Sequence, residues 1–144
     1  MSRRLLLAIA SLSLYSFAYS LASPFIAIYF NTSLGIPESL LGLLFSAGGV
    51  VFALLQIPAG YLADRVGRGA AAAIGLAAAS AAYVGYANVG SLPEIFVLFA
   101  VEAAGTAIAN PALTALVADY TPSREYLGRV YGLVNAASRL ISIP

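Results

Sequence analysis

Apolar positions in this chain do not alternate with polar ones; they run together in blocks. Leu5 to Phe30 carries no charge, Ser39 to Ala63 carries none, Gly69 to Pro93 carries none, and Ile95 to Ala118 carries only Glu102. A helix needs about 20 mainly apolar residues to cross the hydrocarbon core of a bilayer. The pattern therefore predicts four complete spans, near residues 5–30, 39–63, 70–88 and 94–118. A fifth is expected from about Gly128 to Pro144, short of a full crossing, so the sequence reads as truncated. Turn residues mark the breaks. Asn31-Thr32-Ser33, Gly35 and Pro37 follow the first span, with Ser39 placed to cap the second. Asn88, Gly90, Ser91 and Pro93 precede the fourth, and Thr121-Pro122-Ser123 closes it. The fold class expected is an all-α integral membrane protein with no soluble domain. Pro24 and Pro111 are expected to interrupt spans one and four.

Composition agrees: 61% of residues are hydrophobic and 9% charged, with a mean hydropathy of +0.92. In soluble domains roughly a quarter of residues are charged. The chain has no Cys, His, Trp or Lys. Zinc sites, Ser-His or Cys-His catalysis and haem ligation therefore have no residues to work with, and no enzyme activity, metal, cofactor or nucleic-acid partner is expected. The opening Met-Ser-Arg-Arg before an apolar stretch could be taken for a secretory signal. The apolar run continues beyond the small-residue region at 18–23 to Phe30, and a second span follows, so a first transmembrane helix is the better reading.

Positive charge is retained on the cytoplasmic side of membrane helices. Arg3 and Arg4 precede the first span, Arg65 and Arg68 lie between the second and third, and Arg124 and Arg129 between the fourth and fifth. The two intervening loops hold no basic residue. The distribution predicts a multi-pass protein with a cytoplasmic N-terminus.

The spans are sided. Gly42, Ser46, Gly49, Ala53, Gln56 and Gly60 advance by three or four residues along one face of span two, and Ser13, Ser16, Ser20 and Ser23 do so on span one. Such faces read as helix-packing surfaces or, alternatively, as cavity wall, with Ser16 and Ser20 the residues of interest. On span four, Glu102, Thr106 and Asn110 share a face. An ionisable residue inside a membrane is costly and marks a pathway, a pairing or a titration. Glu102 is thus a candidate proton carrier or cation ligand, against the plainer reading of a neutral carboxyl tying two helices together. Arg139, about eleven residues into the fifth span, is the other intramembrane charge.

Gly60-Tyr61-Leu62-Ala63-Asp64-Arg65-Val66-Gly67-Arg68 resembles the loop motif of the major facilitator superfamily and falls between spans two and three, where that family has it. Gly69 departs from the usual basic residue. Asp119, Pro122, Gly128, Arg129 and Gly132 resemble the family's segment between spans four and five, with Leu127-Gly128 in place of its Arg-Gly pair. Val101 stands four residues before Gly105, where the family often has an Arg. The resemblance covers essentially the whole chain. It implies the incomplete N-terminal half of a secondary transporter of twelve helices in two halves, binding a small solute between them and exposing it alternately to either side, with ion or proton coupling. It also implies a conformational latch of Gly60, Asp64, Arg65, Gly67, Arg68 and Asp119, in which Arg68 pairs with Asp119 and Asp64 meets a helix end of the second half. The partners expected are the lipid bilayer, a small-molecule solute, and the remainder of the transporter or another membrane chain. The alternatives are a non-transporting membrane remnant or accessory subunit acting through helix–helix contacts, and a transporter assembled from several copies.

Overall fold

The computed structural model of the chain describes residues 3–121 and 124–140, the side chains at 124–125, 133 and 137–140 excepted. The described residues form five helices: α1 (Arg3–Thr32), α2 (Glu38–Val66), α3 (Arg68–Tyr86), α4 (Leu92–Tyr120) and α5 (Arg124–Leu140). The first four are long and apolar enough to cross a membrane. At 1.5 Å per residue α3 spans about 28 Å, close to the hydrocarbon thickness, and α2 and α4 about 43 Å each. The extra length carries Asp64, Arg65 and Asp119 toward helix ends.

The helix ends follow local chemistry. α2 begins at Glu38, one residue before the expected cap Ser39. Pro37 has no amide hydrogen to lose, and a carboxylate in the first turn suits the positive end of the helix dipole. α3 stops at Tyr86, where Ala87 and Asn88 amides turn back onto the Val84 and Gly85 carbonyls. Before α4, the Glu94 carboxylate accepts a hydrogen bond from the Gly90 amide at 2.9 Å, satisfying a donor ahead of the first turn. α5 starts at Arg124, four residues before the expected Gly128.

Pro24 and Pro111 do not interrupt their helices. Both lie inside continuous helices, as does Pro58 in α2. In an apolar surrounding a broken helix exposes several backbone groups, whereas a retained proline forfeits one hydrogen bond, so continuation is favoured.

By its internal contacts the chain divides into two units. One comprises α2, α3 and α4 as far as Ala112. Gly67 alone joins α2 to α3, at φ +91°, a region that side chains with a Cβ rarely adopt. The buried stripe of α3 is Ala71, Gly75, Ala79, Ala82 and Tyr86, repeating every three or four residues. Its small members bring α3 against α4 at backbone distance. A Cβ on Gly75 would lie 2.6 Å from both the Gly105 oxygen and the Ala109 nitrogen, and one on Gly105 would lie 2.6 Å from the Ala79 nitrogen. On α2 the buried positions include Leu41, Leu44 and Gly48. Gly48 faces the Phe99 ring of α4, and Phe45 meets Phe99 edge-on at 5.3 Å.

The other unit comprises α1, α4 from Leu113 onward, and α5. α1 and α5 pack together, with buried stripes at Leu5, Ala8 and Leu12 on one and Val130 and Val134 on the other. Tyr131 of α5 donates its hydroxyl to the Thr114 carbonyl at 2.6 Å. The chain after α1 is pinned by the Ile36 amide on the Phe30 carbonyl and by Asn31 Nδ2 on the Ile36 carbonyl at 2.9 Å.

Candidate functional site

Glu102 lies ten residues after Leu92, about 15 Å along α4, and is 7% exposed. Its carboxyl sits in the α3–α4 contact, where two tyrosines of α3 hold it. Tyr83 Oη donates to Oε1 at 3.0 Å and Tyr86 Oη donates to Oε2 at 2.6 Å. The two rings stand edge-to-face, 5.9 Å apart at 87°, so each braces the other. Helical side chains lean toward the N-terminus of their own helix. In this hairpin the lean carries the tyrosines away from the Ala87–Ser91 turn and carries Glu102 toward it, so the groups meet between their backbone levels. The close backbone approach at Gly75 and Gly105 keeps α3 within that reach.

Each carboxylate oxygen receives one hydroxyl donor, and hydrogen bonds to charged groups contribute about 1.5–3 kcal/mol each. Without them a buried carboxylate pays several kcal/mol of lost hydration. Thr106, one turn further along and 6% exposed, spends its hydroxyl on the Glu102 and Ala103 carbonyls of its own helix, at 2.9 and 3.0 Å. Asn110 follows on the same face, half-buried. Among the described residues no buried side-chain nitrogen or oxygen lacks a partner, and no group of three or more His, Cys, Asp or Glu is placed to hold a metal ion.

Ser16 and Ser20 are half-buried on α1, in the other unit. Arg139 belongs to α5, but its side chain lies outside the described residues, as do Pro122 and Ser123. The expected packing face of α2 is not the one the chain buries. Gly42, Ser46, Gly49, Ala53 and Gln56 are exposed and Gly60 is half-buried. A Cβ at Gly42, Gly49 or Gly60 would meet nothing within 4 Å, and Ser46 turns its hydroxyl onto the Gly42 carbonyl at 2.7 Å. α2 has small residues on more than one face, and the face bearing Gly48 takes α4.

Five of the motif residues, Gly60, Asp64, Arg65, Gly67 and Arg68, lie at or near the α2–α3 junction. Asp64 and Arg65 occupy the last turn of α2 and are exposed, and Arg65 lies 4.5 Å over the Tyr61 ring. Arg68 is the first residue of α3, and Asp119 is exposed in the last turn of α4. A carboxylate at a helix C-terminus and a cation at an N-terminus both oppose the helix dipole, by about 0.3–1 kcal/mol each. Asp64, Arg68 and Asp119 are therefore all placed against local helix stability. Tyr83 and Tyr86 are the site residues that spacing along single helices does not reveal.

Five helices, four of them fit to span a membrane, define a polytopic all-α membrane protein. Residues 8–143 match the family model of the Major Facilitator Superfamily, and the chain belongs to that family. It is also 29% identical over 110 residues to an uncharacterized MFS-type transporter, YqjV, of Bacillus subtilis (strain 168), an alignment covering 76% of this chain and 27% of that protein. The chain thus spans about a quarter of the curated relative's length. No solved structure matches it.

Proposed function

We propose that this chain forms the N-terminal portion of a secondary transporter that moves a small solute by alternating access, with the cycle coupled to protons through Glu102. Family membership supports transport of a solute. The observation that carries the coupling is the Glu102 carboxyl, buried in a membrane-length helix and held by Tyr83 and Tyr86. A group that must gain and lose a proton away from water needs its charged form stabilised locally, and two hydroxyl donors do that. Thr106 and Asn110 on α4 and Ser16 and Ser20 on α1 would add polar positions along the solute path, with Arg139 a positive charge on α5.

In this reading Gly60, Asp64, Arg65, Gly67, Arg68 and Asp119 form a latch that holds one conformation. Arg68 neutralises Asp119, and Asp64 takes a helix N-terminus in the remainder of the transporter. The opposed helix dipoles at these three residues support roles beyond their own helices. The arginine distribution supports a cytoplasmic N-terminus. The bilayer and the rest of the transporter are the partners.

The test is reconstitution of the transporter containing this chain into liposomes loaded with a pH-sensitive dye. Small solutes from a chemically varied panel are added in turn. Saturable solute entry accompanied by an internal pH change is expected for at least one class. Saturable entry with no pH change would remove the coupling, and absence of any saturable flux would favour the accessory-subunit reading.

A further inference from the structure

The exposed surface of α2 is of two kinds. Gly42, Ser46, Gly49 and Gln56 belong to a strip of small and polar side chains. About a quarter turn round the helix, Val50, Leu54, Ile57 and Tyr61 form a second strip, all large and all more than half exposed. They follow one another by three or four residues, and the next position at that spacing is Arg65. Its guanidinium lies 4.5 Å from the centroid of the Tyr61 ring, and among the described residues it has no acidic partner. Asp64 is its neighbour in sequence but sits about 100° away round the helix, on the side of the small strip.

The two strips suit different surroundings. Small residues let another helix backbone come close, which large branched side chains prevent, so the second strip suits acyl chains. Its length fits one leaflet. Val50 to Tyr61 covers about 16 Å of helix, near half of a hydrocarbon core of about 30 Å. Arg65 lies one turn, about 6 Å, further on, at the level of the lipid phosphates. An aromatic ring at the membrane edge with a long basic side chain extended past it is how helices anchor at that depth. The ring supports one face of the guanidinium, and the N–H edge remains available for a phosphate, which it can meet with two parallel hydrogen bonds.

We propose that the Val50–Tyr61 strip and Arg65 form a binding site for an anionic phospholipid, with an acyl chain along the strip and the phosphate on the guanidinium. A zwitterionic lipid carries its own cation beside the phosphate, which opposes Arg65, so a lipid with net negative charge is preferred. The site fixes the end of α2 to one leaflet, while Asp64 is left to the other strip. It rests on the membrane-spanning reading of α2 and on neither proton coupling through Glu102 nor the pairing of Arg68 with Asp119.

The test is photocrosslinking in the transporter containing this chain, reconstituted in bilayers of phosphatidylglycerol and phosphatidylcholine. A benzophenone amino acid replaces Ile57, and the lipids attached to α2 after irradiation are identified by mass spectrometry, a readout independent of flux. Phosphatidylglycerol should be enriched among the adducts about fivefold over its share of the bilayer, the preference that one basic residue near the surface supplies. The same probe in place of Val84, exposed near the other end of α3, should take the two lipids in proportion to the bilayer. Arg65→Gln should abolish the enrichment at position 57, and Tyr61→Leu should reduce it. An enrichment that survives Arg65→Gln, or that is equal at position 84, overturns the proposal. So do adducts at position 57 that are protein instead of lipid, because a helix then covers the strip.

Discussion

Gly75 offers the sharpest test of how α3 and α4 meet. Replacing it by Ala places a methyl carbon 2.6 Å from the Gly105 oxygen and the Ala109 nitrogen, a shortfall of about 0.8 Å against an ordinary contact of 3.4 Å. Both atoms are backbone, so no side chain can swing aside and the two helices must part. Overpacking of this kind costs about 1–3 kcal/mol. Gly→Ala also favours the helix by about 1 kcal/mol, which blurs a single measurement. Gly49→Ala cancels that effect, because a Cβ there meets nothing within 4 Å and the propensity gain is shared. The difference between the two variants isolates the clash. In equilibrium unfolding of the purified chain in mixed detergent–SDS micelles, Gly75→Ala should be less stable than Gly49→Ala by about 1–3 kcal/mol. Equal stabilities would refute the backbone contact and, with it, the geometry that lets the tyrosines reach Glu102.

Gly67→Ala should destabilise by about 1–3 kcal/mol in the same assay, since φ +91° is strained for any residue with a Cβ; an unchanged midpoint would mean the link relaxes freely. Asp64→Asn in the transporter should slow solute flux more than it weakens solute binding, and a pure loss of binding would count against a latch. Arg68→Asp should lose flux that Arg68→Asp with Asp119→Arg partly regains, whereas a double variant no better than the single one rejects the pairing. Single cysteines at Ser33, Gly69 and Ser91, probed in intact cells with an impermeant thiol reagent, should be shielded at Gly69 only. That follows from a cytoplasmic Asp64–Arg68 loop, and labelling of Gly69→Cys alone overturns the orientation.

The helices were legible because charge-free blocks and turn residues leave few other choices, and α1 to α4 fall on the expected blocks. Glu102 stood out for a related reason: it is the single charge within the 95–118 stretch. Two things were harder to read. Small residues mark faces able to pack, but not which of them finds a partner, so the Gly42–Gly60 stripe of α2 is left outside while Gly48 is covered. Spacing of three and four residues relates positions on one helix and says nothing of the register between two. Tyr83 and Tyr86 therefore carried no visible link to Glu102. The information was present in another form, since the short Ala87–Ser91 turn with Gly75 facing Gly105 aligns α3 and α4 closely enough to bring these side chains together. The prolines misled because a Pro inside an apolar run is a common mark of a broken helix, whereas in lipid the cost of exposing the backbone groups of a break exceeds the one hydrogen bond a retained proline forfeits.

Coupling through Glu102 is the central claim, and solute accumulation against exchange tests it most directly. The transporter containing this chain is reconstituted with and without Glu102→Gln, and two fluxes of the same solute are compared: accumulation driven by an imposed proton gradient, and one-for-one exchange at equal pH. The neutral amide mimics a permanently protonated carrier, and only net accumulation requires the proton to leave. Loss of accumulation with exchange retained is the predicted result. Accumulation by Glu102→Gln at the unmodified rate would contradict the claim.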